Sequence, residues 1–469
     1  MTDHLHPDRM FPTSEPALKY ARALYESVAA LPIVSPHGHT DPAWFATNKN
    51  FTDATSLFLA PDHYVLRMLR SQGISYDALG LARGARKPEV GGLEAWKLFA
   101  ANYHLFAGTP SSMWIDHAFH WAFGIDEQLR ADNADRLYEQ ITARLADDSM
   151  KPMAVLDRAK VEVIATTEFA LDPLEHHQAL KAKGLNARIR TTYRPDDVTV
   201  PASPSFVQNL RRFGEITNED VESWNGMIEA HRKRRAFFRS HGATATDHGV
   251  PDAMTADLPR HEKQKLLDLA FRGELDRSGQ ALFRAQMMTE MAGLSVEDGM
   301  VMQFHAGSNR NTDPALMAEF GANLGADIPT ACDFVHALQP LLSLYGSAEG
   351  FRLILFTLDE TSYARELAPM AGYWPSLMIG PPWWFHDSPQ GIRRYLDQVH
   401  ETAGFFNLAG FNDDTRALLS IPARHDVWRR EVCRFLALLV AEHRVSLATA
   451  FELAQHLSYD AAKAAYRLG

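Results

Sequence analysis

Residues 37–42 read His-Gly-His-Thr-Asp-Pro, directly after the apolar run Leu31-Pro32-Ile33-Val34. In an extended segment side chains alternate between faces, so His37 and His39 point the same way. Two imidazoles on one face, at the end of a buried strand, can grip a divalent cation. The competing reading is a surface turn, because a chain with 21 histidines places some of them two apart by chance. The choice rests on what other segments bring to the same place.

Several other reactive residues also close apolar runs. Arg194 and Asp196 end one, Asp247 and His248 another. His305 ends a third, with Arg310 five residues on, and Asp414 and Arg416 follow the last. The ligand set expected is His37, His39 and Asp414. His305 is either a further ligand or a buried histidine behind them. Imidazole and carboxylate without thiolate suit a single zinc, with manganese, iron or cobalt as alternatives. Asp414 alone would equally suit a loop or helix cap. The guanidinium groups of Arg194, Arg310 and Arg416 match a carboxylate fork, or form structural ion pairs. Asp62 is a natural helix N-cap, which leaves His63 and Tyr64 either facing a cleft or packed as ordinary side chains. Trp383 and Trp384 either stack on a sugar or fill a core.

These residues lie hundreds of positions apart, so the fold must gather them. Eight short apolar or β-branched runs are candidate strands: 31–39, 161–168, 187–196, 242–249, 300–307, 352–360, 377–385 and 406–414. Helical patterns separate most of them, at 173–184, 221–242, 331–346 and 391–404, several ending in glycine. Strand and helix in alternation predict an α/β protein, a (β/α)8 TIM-like barrel, with the reactive residues at the C-terminal strand ends where such barrels carry their sites. Residues 1–39 hold an N-terminal helix and the first strand. Residues 40–155 are a large helical insertion over the barrel mouth. The rest of the barrel spans 156–425 with a smaller insertion at 250–299, and 426–469 form C-terminal helices packed on it.

With 469 residues, 46% hydrophobic and 22% charged, the chain can bury a large core and is not disordered. A net charge of −11 argues against nucleic acid as a partner but leaves room for a small anionic substrate. Two cysteines, Cys332 and Cys433, make no disulfide framework. No signal core and no membrane-length apolar run is visible, so a cytoplasmic protein without membrane contact is expected. Phosphate-loop, dinucleotide and serine-hydrolase elbow motifs are absent.

The stretches HGHTDP, DHYVLRMLRSQG, TTEFALDPLEHH, YRPD, DHG, FHAGSNRNT, GPPWWFHD, GFNDDTR and RHDVWRR run in order from residue 37 to 430. Together they resemble the uronate (glucuronate) isomerases, outlying members of the amidohydrolase superfamily. The resemblance implies an aldose–ketose isomerase acting on a hexuronate through a cis-enediol, and a homo-oligomer. It implies Asp414 as base, Arg416 beside the enediolate, and Arg194 and Arg310 on the substrate carboxylate. His63 and Tyr64 would serve ring opening, and Asp247 would orient a neighbour. Two departures stand out: Asp413 adds a carboxylate next to Asp414, and Glu168 replaces an aspartate, with a consequence for sugar preference. The alternative is a metal-dependent hydrolase of the same superfamily. Such enzymes often carry a lysine after strand four and a histidine after strand six, where this chain has Asp247-His248 and Thr357 with Asp359.

Overall fold

The computed structural model describes residues 5–84 and 86–469. Its strands are β1 (Ile33–Ser35), β2 (Val161–Phe169), β3 (Ile189–Arg194), β4 (Ala245–Val250), β5 (Val301–Ala306), β6 (Ser308–Asn309), β7 (Ile328–Pro329), β8 (Leu353–Thr357) and β9 (Leu377–Ile379). Seven form one sheet in the order β1-β2-β3-β4-β5-β8-β9, and every pairing is parallel. β6 and β7 form a separate antiparallel pair.

Both faces of the main sheet are covered, which is why its strands read as unbroken apolar runs. All six residues of β5 and all five of β8 are buried. On one face Val34, Val163, Ala245, Val301, Ile354 and Phe356 meet Ala462, Ala465 and Tyr466 of the C-terminal helix Ala461–Tyr466. On the other, Met302, Phe304, Leu353 and Leu355 pack beneath helices. Helices Glu175–Ala182, Trp224–Ser240 and Arg277–Asp298 lie between successive strands, and Pro389–Ala403 follows the last, β9. Gly299 ends the third of these at φ +77°, where a side chain would be strained.

The segment expected as an eighth strand does not form one. Residues 405–407 make a tight helical turn, and Leu408 pairs with Ile379 through a single parallel bridge. Asn407, Gly410, Asn412 and Asp413 favour turns over extension. Gly410 sits at φ +75°, and a Cβ there would come within 2.5 Å of the Ala462 backbone. The segment then reaches β1 from its other side, the His39 N–H donating to the Thr415 carbonyl at 2.9 Å. The helix expected over 331–346 is two, Phe334–Ala337 and Gln339–Tyr345, because Pro340 supplies no N–H to continue the first.

Between residues 40 and 155 the described chain holds several helices, among them Pro42–Thr47, His63–Ser71, Gly92–Ala101 and Ala134–Leu145. Trp96, Phe99, Phe106, Phe119 and Leu137 form their core, continuous with Ile33, Val161, Ile164 and Ile189 of the sheet. Residues 250–299 contain helices Arg260–Arg272 and Arg277–Asp298. Residues 308–330 leave the end of β5 as a flap of the two-residue strands β6 and β7 and the helix Pro314–Phe320, elements too short for sequence periodicity to reveal. Among the described residues no helix is long and apolar enough to cross a membrane.

Candidate active site

Strand alternation decides which residues face the centre of the sheet. On β4, Asp247 turns inward, while His248 turns outward and bonds Thr246. On β5, Gln303 and His305 turn inward. On β2, Glu168 turns away, receiving the Thr191 hydroxyl and lying 3.3 Å from His177 Nε2. The departure at Glu168 is therefore outside the pocket. Asp413 is also turned away, its carboxylate 3.1 Å from His425 Nε2.

All eleven residues singled out in the sequence line one cavity: His37, His39, His63, Tyr64, Arg194, Asp247, His305, Arg310, Trp383, Asp414 and Arg416. Its empty volume is about 510 Å³, and Asn323, Asp327 and Trp384 complete the lining. Asn323 and Asp327 were not foreseen. They lie in the flap between β5 and β8, where only turn residues such as Gly321, Asn323 and Gly325 mark the sequence.

Asp414 Oδ1 lies 3.5 Å from His37 Nε2 and 3.2 Å from His39 Nε2. Its Oδ2 accepts the Trp383 indole N–H at 2.7 Å. His305 Nδ1 lies 2.7 Å from Asp247 Oδ1, and its ring stacks on Phe356 at 4.0 Å and on His37 at 5.0 Å. Gly380 makes room for that stack, since a Cβ there would fall 2.4 Å from the Phe356 ring. Donor atoms of His37, His305 and Asp414 lie within 4.8 Å of one another, as do those of His37, His39 and Asp247. His305 Nε2 and Asp414 Oδ1 are buried without a hydrogen-bond partner among the described residues. Buried polar atoms are rarely left so. Converging unsatisfied donor atoms of imidazole and carboxylate type fit a divalent cation. Asp247 joins this set by geometry, whereas the sequence suggested only an orienting role.

Burial alone would raise the Asp414 carboxyl, but the imidazoles of His37, His39 and His305 outweigh it and hold the group well below the usual carboxylate range. Asp247 is likewise held low, burial being overcome chiefly by Arg194 and then by His305 and His37. Burial, reinforced by Arg416 and Arg424, pushes His63 down to about 3, so it is neutral at physiological pH. Asp62 caps its helix as expected, accepting from the Tyr64 N–H at 2.9 Å. The Tyr64 hydroxyl donates to the Trp384 carbonyl at 3.0 Å, leaving its oxygen as an acceptor.

The three arginines divide into two kinds. Arg194 is committed, with Nε 2.8 Å from Asp196 and Nη1 2.9 Å from Asp247. Its guanidinium lies across Gly249, where a Cβ would sit 2.1 Å from Nη2. This explains the glycine of Asp-His-Gly. Arg310 and Arg416 have no carboxylate within salt-bridge distance among the described residues, and Arg310 lies over the Trp384 ring at 5.0 Å. Two half-buried guanidinium groups without a salt-bridged carboxylate make a site for an anion.

Asp414 and Trp384 hold left-handed backbone, at φ +41° and +53°, which only surrounding structure can enforce. Part of that enforcement comes from helix Ser420–Ala441. Its Arg424 donates to the Asp413 carbonyl at 3.2 Å and to Asp387 at 2.6 Å. Arg429 donates to the carbonyls of Leu31 at 3.0 Å and Pro32 at 2.8 Å. One helix thus ties the strand that carries the two histidines to the loop that carries Asp414. Arg-His-Asp-Val-Trp-Arg-Arg, visible in the sequence only as a motif, is the staple.

A model of the glucuronate isomerase family matches residues 15–466. A uronate isomerase of Sphingopyxis alaskensis is 55% identical over 469 residues, covering 99% of each chain. One from Xanthomonas oryzae pv. oryzae is 53% identical over 465 residues, covering 99% of this chain and 98% of its own. The crystal structure of a glucuronate isomerase from Caulobacter crescentus superposes with a TM-score of 0.97 at 51% identity, covering 99% of this chain and 97% of that one. With its pocket residues all inside the span the family model matches, and relatives more than half identical along 99% of its length, the chain belongs to the glucuronate isomerase family.

Proposed function

We propose that the protein interconverts D-glucuronate with D-fructuronate, and D-galacturonate with D-tagaturonate, by moving a proton between C2 and C1. The observation that carries this is the convergence in one cavity of ionised Asp414 with two carboxylate-free guanidinium groups, Arg310 and Arg416. An aldose–ketose shift needs a base at C2, positive charge at the developing oxyanion, and an anchor for the substrate's own carboxylate.

Arg310 takes the C6 carboxylate, with the remaining N–H donors of Arg194 beside it. Neutral His63 accepts the anomeric hydroxyl proton and delivers it to the ring oxygen as the C1–O5 bond breaks, while the Tyr64 oxygen accepts a hydrogen bond from the substrate. Asp414, fixed by the Trp383 N–H, removes the C2 proton. The C2–H electrons form the C1–C2 double bond, and the C1 carbonyl becomes an enediolate oxygen beside Arg416. A proton returned to C1, with loss of the C2 hydroxyl proton, yields the ketose. His37, His39 and Asp414, with His305 and Asp247 adjacent, would hold a divalent cation, zinc foremost. Bound there, it would supply positive charge that polarises the substrate oxygens. In the same reading residues 408–415 stand in for the eighth strand and close a (β/α)8 barrel, several copies assemble, and the protein works in the cytoplasm.

Product analysis tests the reading. Chain supplied with zinc or manganese should convert either hexuronate to a product with the ¹³C carbonyl resonance of a 2-ketose. Unchanged aldose with both sugars and both metals would refute it.

A further inference from the structure

The flap between β5 and β8 carries a carboxylate that the mechanism above does not use. Asp327 is 3% exposed and lines the cavity. One oxygen, Oδ1, accepts the Asn311 N–H at 2.9 Å. The other has no hydrogen-bond partner, and the residue no salt bridge, among the described residues. A buried carboxylate without a cation is costly, and more so in a cavity built for an anion. Pinning Asn311 does not require it, since an asparagine oxygen would accept the same N–H. An acceptor-only group facing substrate selects a hydroxyl.

Its position along the cavity narrows the choice of hydroxyl. Asp327 lines the same cavity as Arg310 and Arg416, and the Asn311 N–H that it accepts follows Arg310 directly in the chain. Arg416 stands two residues from Asp414, at the C1–C2 end of the substrate. Arg310 stands at the C6 end. A carboxylate pinned beside the C6 anchor is kept off the substrate's own carboxylate by like charge, so it faces the hydroxyls in the middle of the six-carbon chain. The flap is held firmly enough to read that position. The Thr312 N–H donates to the Ala326 carbonyl at 2.6 Å, and the Tyr76 hydroxyl to that of Leu324 at 2.6 Å. Gly325, at φ +89°, lies so close to helix His63–Ser71 that a Cβ would come within 2.6 Å of Arg67 Cβ.

Resting on the isomerase reading, we propose that Asp327 accepts a hydrogen bond from the C4 hydroxyl of the hexuronate and so sets the preference between the C4 epimers glucuronate and galacturonate. Asp327→Asn keeps the oxygen that Asn311 needs and turns the cavity-facing acceptor into a donor. The ratio of kcat/KM for the two epimers should change by about tenfold or more, the size expected for one charged hydrogen bond. A purely structural role would move both epimers together. The unsubstituted protein gives a second measurement, because removing the C4 hydroxyl makes both epimers the same compound. That 4-deoxyhexuronate should fall at least about tenfold below the preferred epimer in kcat/KM, and the gap should close in Asp327→Asn. An unchanged epimer ratio, or a 4-deoxy compound handled as well as its parent, would overturn the assignment while isomerisation itself stands. Turnover of neither epimer by the unsubstituted protein would overturn the isomerase reading and this assignment with it.

Discussion

The two walls of the cavity are built differently. One comes from strand ends: His37 after β1, Asp247 on β4 and His305 on β5, each at most 3% exposed. Parallel ladders fix their register, Gly249 pairing with His305 and Asp247 with Gln303. Behind them the Tyr466 hydroxyl donates to Gln303 Oε1 at 3.1 Å, and Gln303 Nε2 lies 3.3 Å from His37 Nδ1. The other wall comes from irregular chain: His63 and Tyr64 on an insertion helix, and Arg310 and Asp327 on the flap. In the proposed reaction the first wall, with Asp414 against it, serves the proton and cation chemistry at C1 and C2, and the second serves ring opening and recognition of the rest of the substrate. Chemistry demands fixed positions, which a sheet supplies; recognition can be carried on loops anchored at a few points.

Substitutions on the two walls should therefore fail differently. Asp414→Asn should cut kcat by about 10²–10⁴-fold, as loss of a general base does, with the far-ultraviolet circular dichroism spectrum and melting temperature retained. A melting temperature lowered by several degrees would make Asp414 structural instead. Arg310→Met should raise KM by about 10–100-fold and leave kcat far less affected, because it removes one charged contact made equally before and during reaction. Steady-state kinetics with a saturable uronate series separates the two. Gly249→Ala should displace the Arg194 guanidinium from Asp247 and destabilise the fold by about 1–3 kcal/mol, read from denaturant midpoints. If its midpoint matched the parent's, the tight register claimed for the strand wall would be wrong.

Stability also responds to pH, on the walls and in the core behind them. His63, His231 and His248 are pushed down to about 3, chiefly by burial. Their unfolded values are near 6.5, so between about 6.5 and 3 the unfolded chain binds more protons and stability falls as pH falls. Asp197 and Asp387, raised to about 6 by burial, act in the opposite sense between about 4 and 6. Three groups against two predict a net decline from pH 6.5 downward, measurable as a falling urea midpoint. A midpoint that rose between pH 6.5 and 4.5 would contradict the burial of these imidazoles.

The contrast between walls also explains what the sequence disclosed. Strands reading as apolar runs, and reactive residues placed at their ends, are visible because period and burial coincide in β2, β5 and β8. Asp414 was visible through its motif, although its segment is not a strand: asparagine, glycine and aspartate there build a turn that an apolar reading of Phe406–Phe411 hides. Asp327 carried no signal, because a flap held by backbone bonds between Thr312 and Ala326 has neither helical nor strand period. Nor did Arg-His-Asp-Val-Trp-Arg-Arg announce its task, since a buried arginine on a helix reads in sequence like a solvated one. Only the fold shows Arg429 on the carbonyls before β1 and Arg424 on the carbonyl before Asp414.

The most direct test follows the hydrogen at C2 of D-glucuronate by NMR in deuterated water, with metal-supplied protein. Removal of that proton by Asp414 predicts ketose formation together with protein-dependent entry of solvent deuterium at C1 of the ketose or C2 of the recovered aldose. Neither ketose nor exchange, with glucuronate and with galacturonate, would contradict the account.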